Sequence, residues 1–261
     1  MVILSFVGAV GLAQMPFGAT GNSADFTKAA KTNSILKNTL RWKWGKQQKG
    51  WYLYVPLLQK TLATEAGPDS AEFAEKVAGY QRIKGLRRSG VLNQTTLFSI
   101  IKHWQSKRIR PIYEAKESAL LTAPITNFYD PTRDLELLKV DRTAFDAYKR
   151  MIDDADKALN EKNGESGPYL SIISSYRSPA YQASLRKKDP KANRAQLAYR
   201  SPHFTGRALD IYVGGEPVTT KDENRAIQVK TQAYLWLVEN ADKYGFEPYF
   251  YEPWHWEYVA P

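Results

Sequence analysis

Two short segments, separated by about forty residues, limit which folds this chain can adopt. Residues 201–210 (SPHFTGRALD) and 252–255 (EPWH) contain two of the three histidines of the 261-residue chain, His203 and His255. With Asp210 they make three candidate metal ligands, and the glutamate that opens the second segment remains for proton transfer. Catalytic zinc needs three protein ligands, an open position for water and a nearby general base. The segments therefore indicate a zinc hydrolase whose fold brings them together.

Composition narrows the kind of metal site. The chain has no cysteine, so any site must use histidine and carboxylate, and disulfides are excluded. Hydrophobic residues make up 43% of the chain, and the mean hydropathy is -0.50. These values predict a globular fold and argue against a multi-span membrane protein. The length allows one large domain or two smaller ones.

The positive charge is unevenly distributed along the chain. Residues 41–110 hold 14 Lys and Arg against 4 Asp and Glu, whereas residues 111–261 hold 20 against 22. This basic module, residues 41–110, is expected to dock on an anionic nucleic acid, cell-wall polymer or membrane surface, or simply to present a solvated basic face. Its first part alternates tryptophan and tyrosine with lysine and arginine, a pattern that suits stacking on bases or sugars as well as packing on the following helices.

The first 40 residues are predicted to be a signal-like or flexible lead-in. Residues 2–13 form an apolar run with the length of a signal-peptide core but too short to span a bilayer as a helix. No Lys or Arg precedes the run, so a truncated or misassigned start is the alternative. Residues 14–40 are rich in small and polar residues without a clear period, which predicts a linker.

The basic module is expected to be small and helical. One helix is predicted within 69–85, with Asp69 and Glu72 as a capping pair, and a second begins after Asn93. The sequence from Val77 to Leu97, with its Tyr-Gln, Gly-Leu, Gly and Thr at characteristic intervals, resembles the small peptidoglycan-binding domain. Prolines and mixed polarity over residues 111–135 predict a linker.

Residues 136–261 are expected to form an α+β domain, with helices packed on a small antiparallel sheet. Helices are predicted from Asp141 and over 224–244. Strands are predicted over 169–175, 208–213 and 250–259, the last interrupted by a proline. In the last helix, the buried positions are expected to include Ile227, Tyr234, Leu235 and Val238.

Strand alternation predicts how the candidate ligands meet. Within 208–213, alternate residues point to opposite faces, so Leu209 lies on the core face and Asp210 on the other. In the last strand His255 and Glu257 share a face. Two facing strands can therefore bring Asp210 and His255 together, with His203 arriving from the preceding loop. Glu257 thereby becomes an alternative to the nearby Glu252 as the proton-transfer base.

Several motifs together resemble the zinc D-Ala-D-Ala carboxypeptidase family of the VanY type. They are Ser201-x-His203-x-x-Gly206-x-Ala208-x-Asp210, Glu252-x-Trp254-His255, Ser175-Tyr-Arg-Ser178 followed by Tyr181-Gln182, and the stretch from Trp236 to Phe246. The resemblance covers about residues 136–261. The long basic segment 186–200 departs from the family pattern and bears on the shape of the substrate groove.

The resemblance implies a role for each site residue. His203, Asp210 and His255 would bind zinc, and Glu252 would take a proton from the attacking water and return it to the leaving amine. Arg177 would hold the oxyanion together with the metal. The residues expected to contact substrate are Ser201, Tyr176, Gln182 and Trp254.

The resemblance implies a D,D-carboxypeptidase that removes the terminal D-Ala of peptidoglycan stem peptides. The expected setting is the periplasm or cell wall, with the basic module on an anionic wall polymer and neither nucleic acid nor a membrane span required. One alternative keeps the metal and changes the bond, as an L,D-carboxypeptidase or a lysin-like endopeptidase. A non-catalytic wall-binding protein is a second possibility, and charge alone leaves room for a nucleic-acid binder.

Overall fold

The computed structural model describes residues 23–163, 170–190 and 200–260. The predicted signal-like run therefore lies outside the described residues, as do parts of the predicted strand at 169–175 and of the segment 186–200. The described helices are α1 Ser23–Thr39, α2 Val55–Leu62, α3 Ala71–Ile83, α4 Gln94–Ser106, α5 Arg142–Asn163, α6 Pro179–Lys188, α7 Asp222–Gln228 and α8 Gln232–Asn240. The strands are β1 Arg41–Trp44, β2 Lys46–Lys49, β3 Leu120–Thr122, β4 Lys139–Asp141, β5 Ile172–Ser174, β6 Ala208–Ile211, β7 Phe246–Pro248 and β8 His255–Tyr258.

A four-stranded antiparallel sheet forms the centre of the C-terminal region, in the order β5-β6-β8-β7. The predicted α+β class is confirmed. Alternation along β6 also follows the prediction, because Leu209 and Ile211, like Val213 just after the strand, belong to the apolar core cluster, whereas Ala208 and Asp210 are buried outside it. The predicted strand at 250–259 is shorter: residues 249–254 form a turn, and only β8 continues the sheet.

Helix starts follow local capping chemistry. The Asp141 carboxylate accepts the backbone N–H of Ala144 at 3.0 Å, and the Asn93 side chain accepts that of Thr96 at 3.0 Å. The expected capping pair of α3 is wrong. Ser70 caps that helix instead, because its hydroxyl occupies the position before the first turn, where it accepts the N–H of the residue three positions on.

Residues 23–39 differ from the lead-in expected there, since they form α1, which packs on α3. The apolar face of α1 consists of Phe26, Ala29 and Ala30, which pack on Ala74 and Ala78 of α3. Because most of these residues are alanines among polar neighbours, the sequence shows no clear hydrophobic period. Small side chains let two helices approach closely without a strong hydrophobic period. Within the described residues, no helix is long and apolar enough to cross a membrane.

The aromatic residues of the basic module belong to the core. Strands β1 and β2 form a hairpin in which Trp42 faces inward, and Trp51 is fully buried against Phe73 at a ring distance of 6.0 Å. Trp44 packs on Phe250, 4.9 Å away, in the C-terminal region. One apolar cluster thus runs through the basic module and the C-terminal region. Packing, rather than stacking on an external ring, explains these tryptophans.

The predicted helix over 224–244 is divided into α7, α8 and a 3₁₀ turn over Ala241–Tyr244. The change of direction after α7 alters which residues are buried. Tyr234 and Val238 are buried as expected, whereas Ile227 is 57% exposed and Leu235 is 37% exposed. A single continuous helical period was therefore the wrong assumption for these two residues.

Candidate metal centre and cleft

His203 enters the site from a short 3₁₀ helix, Pro202–Thr205. The Ser201 hydroxyl accepts the backbone N–H of His203 at 3.3 Å and begins this turn. Gly206 ends it with φ +69°, and a Cβ at this glycine would lie 2.7 Å from a side chain of β3 and 3.0 Å from the backbone at the end of β4. Only glycine combines this left-handed conformation with so close an approach. The turn therefore leads directly into β6.

Sheet register pairs the other two candidate ligands. Asp210 on β6 lies directly opposite His255 on β8, as the facing-strand interpretation predicts. Cross-strand partners in an antiparallel sheet have side chains on the same face. The Asp210 Oδ1 atom lies 2.9 Å from His255 Nδ1 and 3.3 Å from His203 Nε2. The ligand atoms of all three residues lie within 4.8 Å of one another, and all three side chains are buried.

The remaining ring nitrogens have acceptors that orient the two imidazoles. His203 Nδ1 lies 2.7 Å from the Ser175 carbonyl oxygen, and His255 Nε2 lies 3.1 Å from Glu257 Oε1. Each ring can therefore donate from its outer nitrogen and present the lone pair of its inner nitrogen beside Asp210. Such outer partners are characteristic of histidines that bind metals. The donor set, two imidazoles and one carboxylate, fits zinc.

Charge at this cluster is uneven in the metal-free state. Burial and the nearby Arg177 lower the pKa of His203 to about 4, so its imidazole is neutral. Burial also opposes a charge on His255, but hydrogen bonds to Asp210 and Glu257 outweigh it and raise its pKa to about 9. A divalent cation would bind in place of that proton.

Glu252 lies in the wall of the same cleft as the three candidate ligands. Its side chain is buried, and its Oε1 atom has no hydrogen-bond partner in the described structure. Burial raises its pKa to about 7, and the neighbouring Asp210 adds to this effect. A carboxyl group with such a pKa can both accept and return a proton near neutral pH.

Glu257, the alternative base, has a different environment. It is fully buried and accepts from the Arg108 guanidinium, the Ile109 backbone N–H and His255. Burial works against ionisation, but His255 and Arg108 together lower the pKa of Glu257 to about 2. It does not line the cleft. Its geometry suits anchoring His255, and of the two glutamates only Glu252 lines the cleft.

The Arg177 side chain contacts one of the three candidate metal ligands. Its guanidinium donates to Asp210 Oδ2 and, through Nε, to the Ser174 hydroxyl at 2.9 Å. Its backbone N–H donates to the His203 carbonyl at 3.2 Å, which ties the Arg motif to the His turn. Arg177, which was predicted to hold the oxyanion, is therefore hydrogen-bonded to the candidate ligand Asp210.

The predicted substrate contacts fall into two groups. Ser201 and Trp254 line the cleft. Tyr176 and Gln182 do not, because the Tyr176 hydroxyl donates to Glu114 at 3.4 Å and Gln182 is fully buried within α6. Their placement does not support the predicted contact with substrate.

Sequence reasoning missed several cationic side chains of the cleft, which has a volume of about 490 Å³. Its lining includes five arginines: Arg108, Arg110, Arg133, Arg177 and Arg200. Arg108 and Arg110 lie in the predicted basic module and Arg133 in the predicted linker. The excess of positive charge in the basic module was the sequence signal that could have pointed to the first two. Arginines in a cleft match carboxylate groups in geometry as well as in charge.

The fold thus places a buried group of two histidines and one aspartate, which could hold a metal ion, on an antiparallel sheet beside a cleft. Residues 138–261 match the family model VanY, D-alanyl-D-alanine carboxypeptidase. The C-terminal part of the chain is therefore similar to the VanY family, which is described as D-alanyl-D-alanine carboxypeptidase. No curated protein matches the chain.

Proposed function

We propose that this protein is a zinc-dependent D,D-carboxypeptidase that hydrolyses the terminal D-Ala-D-Ala bond of peptidoglycan stem peptides. The observation that carries the proposal is the buried convergence of His203, Asp210 and His255, with Glu252 in the same cleft. The VanY match over residues 138–261 supports both the reaction and the substrate class.

His203 Nε2, His255 Nδ1 and an Asp210 carboxylate oxygen would hold the zinc ion. Bound zinc makes water acidic enough to react near neutral pH and polarises a carbonyl. Glu252 is positioned to take a proton from the attacking water and to give it to the leaving amine. Its buried, unpartnered Oε1 favours this role, because nothing else in the described protein competes for that oxygen.

Arg177 supports the reaction in two ways. It fixes one oxygen of Asp210, which leaves the other oxygen between the two imidazoles. Arg177 also lines the cleft beside the candidate ligands, where its positive charge would stabilise negative charge that develops on a peptide carbonyl. Ser201 and Trp254, which line the cleft, are the proposed substrate contacts.

The arginine-rich lining favours removal of a C-terminal residue over cleavage within a chain. A substrate that ends at the scissile residue brings a free carboxylate into the cleft, whereas an internal bond does not. Arg133 is well placed to receive it, since it is held by the Leu137 carbonyl at 3.2 Å and lies near the Ser174 hydroxyl. Bidentate pairing with arginine would orient the terminal group.

The basic module is proposed to hold the enzyme on an anionic wall polymer. In the hairpin, Arg41, Lys43, Lys46 and Lys49 are exposed, whereas Trp42 faces the core. This arrangement presents charge without exposed aromatic rings, which favours an electrostatic surface over base stacking. The proposed location is the periplasm or the cell wall, where this polymer and the substrate occur together.

Product analysis on defined stem peptides tests the proposal. Zinc-loaded protein is incubated with pentapeptide stems ending in D-Ala-D-Ala and with tetrapeptide stems, and the products are identified by mass. Loss of a single D-Ala from the pentapeptide alone is expected, together with inactivation by a chelator and recovery with zinc. Glu252→Gln serves as the matched control, because it should keep zinc and lose activity by orders of magnitude. Cleavage inside the stem would indicate an endopeptidase, and shortening of the tetrapeptide would indicate an L,D-carboxypeptidase.

A further inference from the structure

A residue outside the VanY match reaches the candidate metal centre through one intermediary. Arg108 follows α4 at the end of the basic module and lies 149 residues before its partner, Glu257. Its Nε atom donates to Glu257 Oε1 at 2.8 Å, and Nη2 donates to the same oxygen. The next residue, Ile109, donates its backbone N–H to Glu257 Oε2 at 2.8 Å. Both carboxylate oxygens are therefore held by residues 108–109.

Glu257 passes this constraint to a candidate ligand. The oxygen that Arg108 holds also lies 3.1 Å from His255 Nε2, and Glu257 has no exposed surface. An Nε2–H donated to Glu257 fixes the tautomer in which His255 Nδ1 presents its lone pair beside Asp210. A carboxylate behind a metal-binding imidazole orients the ring and raises its basicity.

The surroundings of Arg108 restrict its guanidinium. Its central carbon lies 4.0 Å from the centroid of the Tyr249 ring, and the side chain is 19% exposed. Tyr249 in turn packs against the His255 ring at 5.9 Å and accepts from Trp44 Nε1 at 3.2 Å. An arginine stacked on an aromatic ring has few alternative positions. Arg108, Glu257 and His255 thus form one ordered chain of contacts.

We propose that Arg108 is a positioning residue for the metal centre, which it holds in its binding geometry by acting through Glu257 on His255. The basic module then does more than dock the protein, because it supplies the outermost part of a metal site whose ligands all lie within the matched domain. This inference depends on the metal site of the proposed function. It is tested by metal affinity rather than by activity.

The neighbouring residue provides a matched control. Lys107 also joins this segment to the sheet, through an ion pair with Glu247 on β7 at 2.9 Å. Glu247 does not line the cleft, and among the described residues its carboxylate is joined to Lys107 rather than to a candidate ligand, although it lies opposite Glu257 in the β7–β8 register. Lys107→Met therefore removes one cation and one cross-link while leaving the contacts of His255 intact.

Zinc dissociation constants are measured on the full chain by competition with a chromophoric chelator. Arg108→Met is expected to weaken zinc binding by about 10-fold, at the lower end of the loss caused by removing a direct outer partner of a ligand, because Arg108 acts through Glu257. Lys107→Met is expected to stay within about twofold of wild type. In a Glu257→Gln background, Arg108→Met should change the affinity by less than about threefold, because the route to His255 is already broken.

Unchanged zinc affinity in Arg108→Met would overturn the inference. An equal loss of affinity in the wild-type and Glu257→Gln backgrounds would also overturn it, because it would indicate a general structural effect. If Arg108→Met does not fold, Arg108→Lys replaces it. Lysine keeps the positive charge but cannot donate two hydrogen bonds from a planar guanidinium. The expected zinc affinity of Arg108→Lys therefore lies between those of wild type and Glu257→Gln. Full wild-type affinity would contradict the proposal. Wild-type protein that binds no zinc would instead reject the proposed function itself.

Discussion

We predict that Glu252 lowers the free energy of unfolding of the metal-free protein above neutral pH, and that Glu252→Gln removes this effect. Burial raises the pKa of this carboxyl from 4.5 to about 7, so the folded state favours the protonated form. The folded state therefore binds more protons than the unfolded state between those values, and stability falls as pH rises through that window. Integrating this linkage gives a loss of about 2–3 kcal/mol between pH 5 and pH 8, because each pKa unit corresponds to slightly more than about 1 kcal/mol.

The assay is urea unfolding of chelator-treated wild type and Glu252→Gln at both pH values. The buried amide of the variant has its own cost, but that cost is the same at each pH and cancels when the two differences are compared. The stability of the variant relative to wild type should rise by about 2–3 kcal/mol from pH 5 to pH 8. A bound divalent cation favours the charged carboxylate, so zinc should reduce this rise. A difference independent of pH in the metal-free protein would refute the assignment of Glu252 as a desolvated acid.

Three further predictions concern individual residues. His203→Ala removes one of three candidate ligands and should weaken zinc binding by about 100-fold or more, beyond the loss of an outer partner, in the same chelator competition. Gly206→Ala places a Cβ at φ +69° against β3 and should destabilise the fold by about 1–3 kcal/mol in a denaturant titration; an unchanged midpoint would contradict the close approach. Trp51→Ala removes a fully buried ring and should cost about 3–5 kcal/mol. Because Trp51 belongs to the apolar cluster shared with the C-terminal region, unfolding of both regions should shift together, and a shift confined to the basic module would argue against a shared core.

Local rules predicted much of the C-terminal region. Alternation along β6 placed Leu209 in the core and Asp210 opposite it, and the register then brought Asp210 to His255. The same rules failed where a helix changes direction, since Ile227 and Leu235 are exposed although a continuous period predicts them buried. They also missed α1, because its apolar face consists mainly of alanines whose burial depends on the helix packed against them.

The sequence by itself determined the chemistry available to the site. Two histidines and two acids at fixed spacing, with no cysteine, leave a nitrogen and oxygen donor set suited to zinc. Strand geometry, which is local, determined which face carries Asp210.

Only the tertiary structure decided which acid can act as a base and which partners hold the ligands. Glu252 and Glu257 are both glutamates close to His255, yet burial without a partner raises the pKa of one to about 7, whereas Arg108 and His255 lower that of the other to about 2. That difference depends on desolvation and on charges brought from far along the chain. Such long-range contacts are set by packing and have no local sequence pattern.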